Sequence, residues 1–112
     1  LSEHAREVIK VIRKYKRSPM EIALDFDGRK GAFFMAEGDR RLAAMEFTMA
    51  GEDKMIIDHT EVDESLRGTG AGRKLLDRLI AYVREKDIKV IPLCPYAKSV
   101  FDRVPEIRDV LL

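Results

Sequence analysis

Between residues 22 and 62, apolar and polar positions fall into four short runs, each closed by residues that favour turns. Ile22-Ala23-Leu24-Asp25-Phe26 leads into Asp27-Gly28, a strong reversal signal. Ala32-Phe33-Phe34-Met35-Ala36 follows and is broken by Glu37-Gly38-Asp39. Residues 42–49 form the next run, closed by Ala50-Gly51-Glu52-Asp53, and residues 55–62 complete the set. Links this short predict an antiparallel meander. The period then changes. Beyond a glycine-rich loop, Leu75, Leu76, Leu79, Ile80 and Val83 share one face of a helix predicted over 73–86 and ended by Asp87. Residues 88–94 read as a buried strand, so strand, loop, helix and strand make a right-handed crossover with a parallel pair. A short helix is predicted over 95–103, bearing Ala97, Val100 and Phe101. The tail beyond Pro105 adds one more turn with Ile107, Val110 and Leu111.

Ahead of the meander, Ser2 caps a helix predicted to about residue 16, with Val8, Ile9, Ile12 and Tyr15 as its apolar stripe. Ser18-Pro19 ends it, because the residue before proline is pushed out of the helical region. The chain therefore divides into an N-terminal helical extension, 1–18, and one α/β (α+β) domain, 19–112.

Composition narrows the function classes without naming one. At 112 residues there is room for a single modest core, and 46% hydrophobic with 37% charged residues is the balance of a globular chain. The net charge is +1, and Arg13-Lys14-Tyr15-Lys16-Arg17 is the nearest thing to a basic block. Balanced charge without aromatic platforms argues against a nucleic-acid partner. No apolar run approaches the roughly 20 residues of a membrane span. No signal-peptide pattern is present, and a chain opening on Leu1 reads as trimmed or renumbered. One cysteine cannot form an internal disulfide, so the expected compartment is a reducing cytoplasm. No metal is expected, and nothing in the sequence selects an oligomeric state.

The chemistry concentrates in Leu66-Arg67-Gly68-Thr69-Gly70-Ala71-Gly72-Arg73-Lys74. A turn from strand into helix leaves backbone amides unpaired at the positive end of the helix dipole, where anions bind. Glycines let an anion approach those donors, and Arg67, Arg73 and Lys74 add charge. The plainer reading is a tight turn with solvated cations. It is weakened by the position of the loop, between a strand and an amphipathic helix. A nucleoside-triphosphate loop needs Gly-Lys-Ser/Thr, but Leu75 follows Lys74. A dinucleotide fold needs a longer parallel sheet.

Arg67-Gly68-Thr69-Gly70-Ala71-Gly72 instead resembles Arg/Gln-x-x-Gly-x-Gly/Ala, the pyrophosphate loop of the Gcn5-related N-acetyltransferases. His59-Thr60-Glu61-Val62, Lys89 to Tyr96 and Pro105-Glu106 extend the resemblance, from about residue 33 to 107, to the small members called minimal acetyltransferases. The resemblance implies a mixed sheet with two splayed parallel strands and acetyl-coenzyme A as co-substrate. It implies pantetheine along Thr60, Glu61 and Val62. The pyrophosphate would lie on Arg67, Gly68, Thr69, Gly70, Ala71, Gly72 and Arg73, with Tyr96 beside the coenzyme and the acetyl group near His59 and Cys94. Two departures stand out. Phe101 occupies the place of the tyrosine that protonates the leaving thiolate in larger relatives, and Val104 replaces a histidine before Pro-Glu.

His59 and Cys94 are therefore the candidate catalytic residues. Each has a plain alternative: a histidine bonded to a neighbouring strand, and a small buried hydrophobe. The activity implied is acetyl transfer to a primary amine, small or on a protein lysine. Histidine suits the amine's deprotonation because its ordinary pKa, about 6.5, lies near neutrality. Cys94 either protonates the departing thiolate or accepts the acetyl group itself. The alternative class is a coenzyme A-binding module without turnover.

Overall fold

The computed structural model describes residues 21–112; the helix expected over 1–18 lies outside them. Five strands form one sheet in the order β1-β2-β3-β4-β5. They are β1 (Ile22–Phe26), β2 (Lys30–Glu37), β3 (Arg40–Met49), β4 (Lys54–Val62) and β5 (Lys89–Pro92). The first four pair antiparallel through short turns, and β4 pairs parallel with β5. This is the mixed α/β architecture expected from the pattern. Helix α1 (Ala71–Lys86) makes the crossover, and α2 (Pro95–Arg103) and a 3-10 segment (Pro105–Val110) follow β5.

The core lies on one face of the sheet. Phe33, Met35, Met45, Phe47, Met55 and Ile57 project from it onto Leu75, Leu76, Leu79, Ile80 and Val83 of α1, all buried. The helical stripe read from the sequence is the stripe that is buried, because a helix of this length gains its stability by covering an apolar sheet face. Ala97, Val100 and Phe101 of α2, with Ile107 and Val110, close the end of the same core. On the opposite face Ala23, Phe34, Ala36 and Ala44 form a smaller cluster, and the Arg41 guanidinium lies 3.9 Å from the Phe34 ring centre.

The strand expected to reach Cys94 stops at Pro92. The amides of Leu93 and Cys94 both turn onto the Ile57 carbonyl, at 3.1 and 3.0 Å, so the chain leaves the ladder there. Prolines 92 and 95 have no N–H with which to extend it. Cys94 becomes the residue that caps α2 rather than the last residue of β5.

Three surface carboxylates fasten the ends of elements. The Asp27 carboxyl is held below its ordinary range by the Lys30 and Arg29 amides, Asp63 by the Ser65 hydroxyl and amide, and Asp109 by the Arg84 guanidinium. A depressed folded-state value means stability that is present above the unfolded pKa and lost as pH falls through the folded one. The urea midpoint should hold from neutrality to about pH 5 and then decline steadily with further acid. Asp109→Asn should blunt that decline. A midpoint insensitive to acid down to about pH 2 would show that these contacts contribute nothing.

Candidate active site

A bulge in β4 decides which side chains meet. Phe47 pairs with Ile57, but Glu46 pairs with His59, so Asp58 is an extra residue; the Thr48 hydroxyl donates to its carboxylate at 2.6 Å. Register partners share a face. Met45 and Ala43, both in the main core, face Thr60 and Val62 and set those two on the helix side. Glu46 and Ala44 face His59 and Glu61 and set them on the opposite side. The two candidate catalytic residues are thus divided by the sheet. His59 is on the open face and Cys94 is buried, 3% exposed, beneath the helix face.

Each has its own partner. His59 Nε2 lies 3.1 Å from Glu61 Oε1. A carboxylate can only accept, so Nε2 carries the proton, and in the neutral ring Nδ1 is left as the acceptor. Both side chains are more than half exposed. Cys94 Sγ lies 3.1 Å from Thr60 Oγ1. No hydrogen bond joins His59 to Cys94 among the described residues.

The parallel ladder between β4 and β5 runs from Lys54↔Lys89 only to Ile57↔Pro92, whereas β4 continues to Val62. Beyond the bulge, the edge of β4 over 58–62 therefore has no strand beside it among the described residues. This is the gap between parallel strands that the resemblance implies, bounded by Thr60 on one side and the start of α2 on the other.

The gap leads to the glycine loop. A 3-10 turn (Glu64–Leu66), capped by Asp63, carries the chain from β4 to Arg67. Gly68 and Gly70 then adopt φ of +79° and +80°, a conformation that glycine takes without strain. A Cβ at either would meet no atom within 4 Å, so open space lies over the backbone at both. Helix α1 begins at Ala71, two residues earlier than the periodicity predicted, and Gly70 caps it without a side-chain bond. Its first-turn amides, with no such cap, can hold an anion. Lys74 Nζ donates to the Thr69 carbonyl at 3.3 Å and Arg73 Nε to Asp77 at 2.8 Å, while Arg67 has no ion-pair partner among the described residues.

Gly72 serves a different need from its neighbours. It lies inside the first turn of α1, and a Cβ there would come within 3.0 Å of the Tyr96 ring. Glycine at this point lets Tyr96, at the start of α2, pack against α1. Burial, chiefly, raises the pKa of the Tyr96 hydroxyl and keeps it protonated at neutral pH, although the neighbouring Arg73 and Arg103 pull the other way. Phe101 is buried at 2% exposure and carries no proton to give.

On the open face, a cleft of about 510 Å³ is lined by Ala44, Glu46, Glu61, Asp63 and Arg67, among others. Glu46 has no ion-pair partner among the described residues. Sequence reasoning passed over Glu46, whose only signal was an acidic residue among the apolar positions of 42–47. No group of three or more His, Cys, Asp and Glu side chains among the described residues could hold a metal ion. No helix among them is long and apolar enough to cross a membrane.

Residues 32–110 match the family described as GCN5-related N-acetyl-transferase. The chain is also similar to the solution structure of a GCN5-like protein from Staphylococcus aureus. The two are 30% identical with a TM-score of 0.68, and the match covers 86% of this chain and 91% of that one. No curated protein matches the chain.

Proposed function

Since the chain belongs to the GCN5-related N-acetyltransferase family, we propose that its domain, 19–112, moves an acetyl group from acetyl-coenzyme A to a primary amine in a reducing cytoplasm. The observation that carries this reading is the succession along the chain of an unpaired β4 edge at Thr60, open space over Gly68 and Gly70, and the uncapped start of α1. The residues fit the coenzyme: open space above two glycines suits a diphosphate, and a strand edge without a neighbour suits pantetheine amides.

Bound there, the coenzyme supplies an activated thioester carbonyl. The chain supplies the rest. The amides at the start of α1, with Arg67 and Arg73, hold the diphosphate charge. The backbone of Thr60, Glu61 and Val62 aligns the pantetheine arm, and Tyr96 bounds it from α2. The amine arrives from the open face, where Glu46 and Glu61 attract its ammonium form and His59 Nδ1 takes its proton. Cys94 meets the thioester from the helix side. The sheet thus separates the group that deprotonates the acceptor from the group that deals with the sulfur.

The decisive experiment is acetyl-coenzyme A consumption across a panel of polyamines, amino sugars and lysine peptides, with His59→Ala and Cys94→Ala alongside. Turnover with an amine, reduced in both variants, supports the reading. Calorimetric binding of coenzyme A without turnover on any amine would favour the binding module instead. Gly70→Val should weaken coenzyme A binding at least about tenfold, since a β-branched residue both resists positive φ and projects over the uncapped amides. Unchanged affinity in that variant would place the diphosphate elsewhere.

A further inference from the structure

Most of the helix-side surface of β4 is apolar, as a packed sheet face should be, yet Thr60 sets a hydroxyl on it. Among the described residues, that hydroxyl has one hydrogen-bond partner, Cys94 Sγ at 3.1 Å. Thr48 and Thr69 find ordinary oxygen acceptors instead, the Asp58 carboxylate and the Leu66 carbonyl. Cys94 likewise has its backbone committed, its amide to Ile57 and its carbonyl to Lys98. Only the thiol is left for Thr60.

We propose that Thr60 is a positioning residue for Cys94, its hydroxyl holding the sulfur toward the gap and donating to it when it carries charge. The inference rests on the acetyl-transfer reading only for its purpose; the contact itself stands without it. Were Cys94 a space-filling hydrophobe, valine at 60 would serve the same shape and leave no polar group to satisfy. A thiol can donate to Oγ1 or accept from it, but a thiolate can only accept. The hydroxyl therefore keeps its bond when the sulfur is charged, and hydrogen bonds to charged groups are the stronger kind.

Both candidate jobs of Cys94 pass through that thiolate. In direct transfer, the proton moves from Sγ to the departing coenzyme sulfur, which leaves as a thiol, and Cys94 regains a proton from water. In covalent transfer, the thiolate attacks the thioester carbonyl, the coenzyme thiolate leaves and takes a proton, and the amine later takes the acetyl group from Sγ. The bulge at Asp58 is what aligns the pair. Without the extra residue in the count, Thr60 would face away from the helices and His59 would face them. Tyr96, two residues further on, is a titratable side chain close enough to Cys94 for their charges to interact, whereas His59 and Glu61 stand across the sheet.

The test is the rate at which iodoacetamide alkylates Cys94, followed by mass spectrometry at one fixed pH in the full chain with no coenzyme or amine present and with Cys94→Ala as the blank. Thr60→Val should slow alkylation about tenfold, whereas Thr60→Ser should react as the parent does. Thr60→Ala, read the same way, replaces the valine variant if that fails to fold. A valine or alanine variant alkylated as fast as the parent overturns the proposal, as does a serine variant that behaves like valine. Because no turnover is measured, slowed alkylation in a protein that acetylates nothing would refute the enzymatic reading and leave the Thr60 role standing.

Discussion

Replacing Cys94 with alanine should lower kcat/KM for acetyl transfer by at least about a hundredfold while leaving coenzyme A affinity nearly unchanged. The other side chains near the gap are poorly placed or have no proton to give. Phe101 is buried and has no transferable proton, and His59 is on the far face of the sheet with its Nε2 turned to Glu61. Tyr96 keeps its proton, but its ring lies against Gly72, at the diphosphate end of the path. Cys94 is the group beside Thr60, where the unpaired edge of β4 would present the thioester. Tyr96→Phe should therefore cost less than about tenfold. The reverse ranking, with Tyr96→Phe the crippled enzyme and Cys94→Ala the active one, would transfer the proton to tyrosine and return Cys94 to packing.

What the sequence made legible follows from how each feature is encoded. The α1 stripe and the β1 to β4 turns are written in periodicity and in glycine and aspartate positions, so both were readable and both stand. The parallel β4–β5 pair followed from the change of period around one loop. The bulge was not legible. Asp58 is flanked by ordinary strand residues, and a one-residue insertion leaves no mark on composition while reversing every face beyond it. Hence His59 and Cys94, adjacent in the sequence-level picture, are separated by the sheet. Gly72 was hidden for a related reason. In the string it matches Gly68 and Gly70, and only the packing of Tyr96 distinguishes it from them.

The same bulge connects stability to the site, and Ile57 is where the connection can be measured. Its side chain is fully buried in the main core, and its carbonyl accepts both the Leu93 and the Cys94 amides. Ile57→Ala should cost about 3 kcal/mol in urea denaturation, the lost transfer energy plus an unfilled cavity against α1 and α2. Ile57→Val, one methylene smaller, should cost about 1 kcal/mol. The two should differ in activity as well. A strand that collapses into the cavity carries its carbonyl with it and shifts the cap of α2, so the alanine variant should lose acetyl transfer beyond its loss of folded protein. The valine variant, whose backbone has little reason to move, should not. Equal activity per folded molecule in all three proteins would mean that the cap of α2 is held by α2 itself and that Cys94 does not depend on the carbonyl at the bulge.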